Sequence, residues 1–154
     1  MRPAIHVVSA SPTVDTSAYG SGDLIGAAAL QFPIPRFRAE GCLLEYVQII
    51  DQAKQSANVD LVLFGSDPSG TTFSDNAAFD IADADMAKIV ALVSVTTHFA
   101  FSDNSASNAR GLGIPIFLDP TAASQILYGA LVARATPTFA AGTDVRVTLG
   151  LRAA

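Results

Sequence analysis

Tryptophan is absent from this 154-residue chain, cysteine occurs once, and charged side chains make up only 15% of it. With Cys42 alone, no intrachain disulfide is possible and a Cys-based zinc site is excluded. Lying next to Leu43, Leu44 and Tyr46, it reads as a small buried hydrophobe rather than a reactive thiol. Positive charge is scarce: 9 Lys and Arg stand against 14 Asp and Glu, a net charge of −5, with no basic run to bind phosphates, so nucleic acid is not an expected partner. Long hydrophobic runs are missing too. The longest stretches free of charge, Ile89 to Ser102 and Pro120 to Ala133, run 14 residues, whereas a crossing helix needs about 20. Met1-Arg2-Pro3-Ala4 lacks the apolar core of a secretory signal, and no Asn-x-Ser/Thr sequon occurs, so synthesis in a cytoplasm is expected.

What remains is apolar. Half of the residues are hydrophobic, which rules out disorder, and the length suits a single domain with its own core. A charged share of 15%, against about 25% in ordinary domains, leaves more apolar surface than a monomer exposes comfortably. An oligomer is therefore expected.

The chain has 12 Asp but 2 Glu, and 7 Arg but 2 Lys. Asp gathers in turns and caps, while helical surfaces draw on Glu and Lys, so the balance points away from helices. Val145, Val147, Leu149 and Leu151 alternate with Asp144, Arg146, Thr148 and Gly150, the pattern of a half-buried strand. Val93, Val95, Phe99 and Phe101 on one face, with Ser94, Thr96 and His98 on the other, predict a second long strand. Leu112, Ile114, Ile116 and Leu118 predict a third, with Pro115 placing it at an edge or bulge. Further strands are expected at Ala4 to Ala10, Asp23 to Phe32, Cys42 to Asp51, Val59 to Phe64 and Ile126 to Ala135. About eight strands separated by Gly, Pro, Asn, Asp and Ser predict an all-β fold, an antiparallel two-sheet β-sandwich of jelly-roll type.

One short helix is expected over Ala82 to Lys88, with Asp80 or Asp83 accepting from its first N–H groups. Before it, Ser66 to Phe79 is a long loop that either carries partner contacts or is pinned over the sandwich by Phe73 and Phe79. Ile126 to Ala135 is apolar on both faces. Ile126, Tyr128, Ala130 and Val132 would then lie against a neighbouring subunit, unless the helix or a loop covers them. Ser11 to Asp23 has little to bury, and residues 1–23 are expected to be partly an extended arm.

Chemistry is thinly represented. His6 and His98 are the only histidines, both within strands, and no Gly-x-Ser-x-Gly elbow occurs. Gly20-Ser21-Gly22 and Gly111-Leu112-Gly113 lack the continuation of a P-loop or dinucleotide fingerprint and read as turns. Asp75, Asp80, Asp83 and Asp85 form the densest acidic cluster, without EF-hand spacing, and no metal or cofactor is expected. The balance favours a part of an assembly over an enzyme.

Specific segments carry a resemblance: Ser11-Pro12-Thr13-Val14-Asp15-Thr16-Ser17-Ala18-Tyr19 with Gly22-Asp23, Ile50-Asp51-Gln52-Ala53-Lys54-Gln55, Asp60-Leu61-Val62-Leu63-Phe64, the stretch from Thr72 to Asp85, and Leu127-Tyr128-Gly129-Ala130-Leu131-Val132. Over roughly residues 10 to 151 the chain resembles a family of small virion proteins of tailed bacteriophages. The resemblance implies a β-sandwich subunit of the particle, most like a cement or decoration protein that binds the outer capsid surface, the lattice of the major capsid protein, as a homotrimer. It would be made in the host bacterial cytoplasm, with neither membrane nor nucleic acid as partner. Val14, Tyr19, Phe73 and Phe79 become candidate capsid contacts. A tail, head-to-tail or fibre-associated subunit, or a host-glycan-binding module, are the alternatives.

Overall fold

The computed structural model describes residues 4–34, 37, 41–118, 121 and 125–154. These form strands β1 (Ile5–Ala10), β2 (Leu24–Pro33), β3 (Cys42–Asp51), β4 (Val59–Phe64), β5 (Ile89–Val95), β6 (Thr97–Ala100), β7 (Ser105–Ile116), β8 (Ile126–Ala133) and β9 (Val145–Ala153), with one short helix, α1 (Asp83–Met86). One sheet has the order β1-β9-β3-β7-β6, the other β2-β8-β4-β5, and every pairing is antiparallel. With β6 set aside, two four-stranded sheets remain, β1-β9-β3-β7 and β2-β8-β4-β5, the strand order of a jelly roll.

Alternation explains the core. In β9, Val145, Val147, Leu149 and Leu151 are buried while Arg146 is exposed. They meet Phe32, Leu61, Leu63, Leu127 and Leu131 from the other sheet in one cluster. Gly129, in register with Leu30 and Leu63, leaves room for the Phe32 ring, since a Cβ there would stand 3.1 Å from it.

The long strand expected from Val93 to Phe101 is two strands in different sheets. The chain crosses between them at Thr96, and the crossing resets the alternation. Val93 and Val95 stay in the core, but Phe99 and Phe101 are 54% and 59% exposed, and His98 is half-buried instead of outward. Leu112 to Ile116 belongs to the longer β7, where Gly111 and Gly113 at φ +67° and +59° open a bulge in the β3 register between Leu44 and Tyr46. β6 pairs only with Ser105 to Asn108, so Pro115, in register with Leu43 of β3, has a free edge of β7 on its other side.

The outer face of β8 is covered from within the chain. Phe73, Phe79 and Ile81, from the connection between β4 and β5, pack on a second cluster of Leu24, Val62, Phe64 and Ala130, joined by Ile89 and Tyr128. Ala130 and Val132 are buried at 2% and 4%, and Ile126 and Tyr128 half-buried. The double apolar pattern of this strand thus reflects an intrachain cover, and the need for a subunit there is removed.

Candidate interaction surface

Ser11 to Asp23 is a strap, not a free arm. Val14 and Tyr19 are buried at 4% and 2%, and the N–H groups of Val14, Tyr19 and Gly22 donate to the carbonyls of Gly142, Pro137 and Ala133 at 3.0, 2.9 and 2.7 Å. The Tyr19 hydroxyl donates to Asp75 Oδ1 at 2.7 Å and accepts the Asp15 N–H at 2.7 Å. The Gly26 N–H donates to the same Asp75 oxygen at 2.8 Å, and Asn76 Nδ2 reaches Asp15 Oδ2 at 3.1 Å. Burial first, and then the adjacent Asp75 carboxylate, hold the Tyr19 hydroxyl far above its ordinary pKa, so it remains a donor. Of the four expected capsid contacts, Val14 and Tyr19 are core residues, while Phe73 and Phe79 are half-buried, packed on each other and on the sheet.

The acidic segment is distributed in the same way. Asp85, 1% exposed, accepts from the Thr71 hydroxyl at 2.7 Å and pairs with Lys88 Nζ at 2.7 Å, and Lys88 also donates to the Asp67 carbonyl at 2.7 Å. Neither Asp80 nor Asp83 caps α1. Its N-cap position, Ala82, has no side-chain cap, and the Ala82 N–H donates to Thr71 Oγ1 at 3.2 Å. Asp80 and Asp83 point into solvent, apart from the bonded Asp75 and Asp85, and no group of three or more potential metal ligands occurs among the described residues.

Lys88 and then Thr71 hold the Asp85 carboxyl below its ordinary value of 3.8, and Asn76 followed by the Ser17 N–H do the same for Asp15. A carboxyl depressed in the folded state stabilises the fold fully above its unfolded pKa and ceases to do so as pH falls through the folded value. Thermal melts are therefore expected to show stability declining below about pH 4, with a shallower decline in Asp85→Asn.

His98 has both ring nitrogens engaged: Nδ1 with Ser107 Oγ at 2.6 Å and Nε2 with Asn58 Oδ1 at 2.8 Å. The order Ser, His, Asn has the form of a nucleophile, a base and its orienting group. Ser107, however, is 4% exposed, and the void beside it is about 20 Å³, room for a water and not for a substrate. The pair ties β6 to β7 and to the turn before β4. His6 rests edge-on against Phe37, ring centroids 5.8 Å apart. Cys42 is 1% exposed, and burial pushes its thiol up to about 11.

Open clefts also lie among the described residues. One, about 280 Å³, runs between β1 and β2 past Pro12, Ala27 and Ala28; another, about 340 Å³, is lined by Thr72, Ser74 and Asp80.

Among the described residues, the outer face of the five-stranded sheet carries exposed apolar and basic side chains. Its edges carry Ile5 and Val7 on β1, at 55% and 54% exposure, and Phe99 at the β6 edge, with Phe101 just beyond it. Between them lie Arg110, Arg146 and Arg152. Arg110 stands over the Tyr46 ring, 5.4 Å from its centroid, and Tyr46 in turn lies across Gly150, leaving no room there for a Cβ. Arg146 reaches Ser9 Oγ at 3.2 Å, and Arg152 pairs with Glu45 at 2.7 Å. Sequence reasoning missed this face because the Thr96 crossing, which exposes the two phenylalanines, interrupts a run that otherwise alternates smoothly. The register that gathers three arginines from β7 and β9 is a property of strand order, not of local pattern. Comparison with protein-family models, curated proteins and solved structures found no match.

Proposed function

We propose that this chain is a cement, or decoration, protein of a tailed bacteriophage head, binding the outside of the major capsid protein lattice as a homotrimer and stabilising the assembled shell. The residue-level resemblance over residues 10 to 151 suggests the particle. The observation that carries the reading is the outer sheet face: an apolar and arginine-bearing surface open to contact with a further copy or with the lattice, on a sandwich whose long connections, the strap and the 65–82 segment, are anchored to the sheets rather than loose. Such a subunit works by mass action. It binds assembled lattice more tightly than free capsid subunits, and so shifts the equilibrium toward the closed shell. Repetition over symmetric sites lets modest contacts suffice.

Copy number tests the position in the particle. Quantitative mass spectrometry of purified virions is expected to find the chain in numbers comparable with the major capsid protein, in the hundreds; about a dozen copies or fewer would assign it to the tail or the head-to-tail joint. The cleft lined by Thr72, Ser74 and Asp80 favours one other reading, a host-glycan-binding module. Saturable binding of the isolated protein on a glycan array, lost in Asp80→Ala, would support that reading instead.

A further inference from the structure

Charge is segregated across the sandwich. On the strands of the five-stranded sheet, Arg110, Arg146 and Arg152 face outward with Glu45 as their one carboxylate, the other acid there, Asp51, being buried. The opposite side is covered by the segment between β4 and β5, where Asp67, Asp80 and Asp83 are exposed and the one Lys, Lys88, is taken up by Asp85, while just past the end of β8 the exposed Arg134 is paired with Asp60. Both sides also leave large apolar side chains in water: Phe99 and Phe101 with the arginines, Met86 and Leu92, at 52% and 66% exposure, with the acids. Pairing like with like would set arginine against arginine or aspartate against aspartate, and like charges across an interface are strongly unfavourable. A nucleic acid is disfavoured by the net charge of −5.

We propose that the outer face of the five-stranded sheet of one copy receives the acidic 65–88 segment of a second copy, a head-to-tail contact in which arginines meet aspartates and the exposed apolar groups of each side cover the other. Such a contact is heterologous: it closes into a ring, a ring of three included, when the rotation between copies allows, and otherwise propagates as a stack. It does not rest on the capsid reading, because both complementary surfaces belong to this chain. Exposed charge pairs are screened by salt, so the association weakens as ionic strength rises.

Sedimentation velocity of the full chain at low and high salt, with two charge-reversed variants, tests the contact. Arg110→Glu with Arg146→Glu makes both faces acidic; Asp80→Lys with Asp83→Lys makes both basic. Wild type is expected to associate at low salt and dissociate at high salt, and each variant alone to associate about tenfold or more weakly. An equimolar mixture of the two variants is expected to regain association, since each then offers the other a complementary face. Because these residues are exposed, circular dichroism is expected to show both variants folded. Monomeric wild type at low salt, association unchanged by the reversals, or a mixture no better than its parts would each overturn the proposal, as would binding of a DNA oligonucleotide through the arginines in place of self-association.

Discussion

Replacing Tyr19 by alanine is expected to cost about 3–5 kcal/mol of stability, the range for deleting a large aromatic from a core. The ring is buried and packs edge-on against Phe139, centroids 5.7 Å apart. Its hydroxyl is also a junction, holding Asp15 and Asp75 together at 2.7 Å each. Tyr19→Phe keeps the packing and removes only the junction, leaving the Asp75 carboxylate one donor short, for a smaller cost of about 1–3 kcal/mol. Urea denaturation of the two variants separates these contributions. Equal and negligible losses would mean that the strap is a loose arm after all. The same geometry means that deleting Ser11 to Asp23 removes Val14 and Tyr19 from the core, so such a deletion reports on folding before it reports on binding.

The second large effect is expected at Phe64. Its fully buried ring sits at the seam where Phe73, Phe79 and Ile81 close over β4 and β8. Phe64→Ala leaves a cavity in that seam, with an expected loss of about 3–5 kcal/mol. The loosening is expected to be greatest in the covering segment, whose Asn76 and Phe79 N–H groups donate to Leu24 and Gly22 carbonyls, each at 3.0 Å. Hydrogen exchange should therefore accelerate at Asn76 and Phe79 by more than at the central strands β3 and β9. Uniform acceleration would show that the seam opens only with the whole domain.

Much of the fold was legible because apolar runs are bounded by turn residues and several strands, β9 above all, are amphipathic at period two. Cys42 to Asp51 and Val59 to Phe64 coincide with β3 and β4 residue for residue, and the alternation from Val145 to Leu151 marks the inner face of β9. The surplus of Asp was a true signal of turns: Asp51 accepts from the N–H groups of Ala53 and Gln55, and Asp144 from those of Ala140 and Ala141. Long-range consequences were not legible. An apolar outer face on β8 looks the same in sequence whether a subunit or a loop covers it, and only the docking of Phe73, Phe79 and Ile81 decides between them. Nor does a polar run such as Ser11 to Asp23 announce a strap, since two buried side chains and a shared Asp75 oxygen, contributed from far along the chain, hold it down. The exposed phenylalanines of the surface now favoured for contacts follow from the change of sheets at Thr96, and its arginines from the strand order that sets β7 and β9 on either side of β3.

The cement reading makes one demand that no tail subunit or glycan module shares: preference for assembled lattice over its free building block. Purified chain mixed with undecorated capsids, and separately with unassembled major capsid protein, followed by sedimentation and quantification of the bound fraction, measures that preference directly. Saturable binding to capsids, at a fixed ratio to lattice sites and far weaker to free subunits, is the predicted result. Failure to sediment with capsids, or equal affinity for the unassembled subunit, would contradict it.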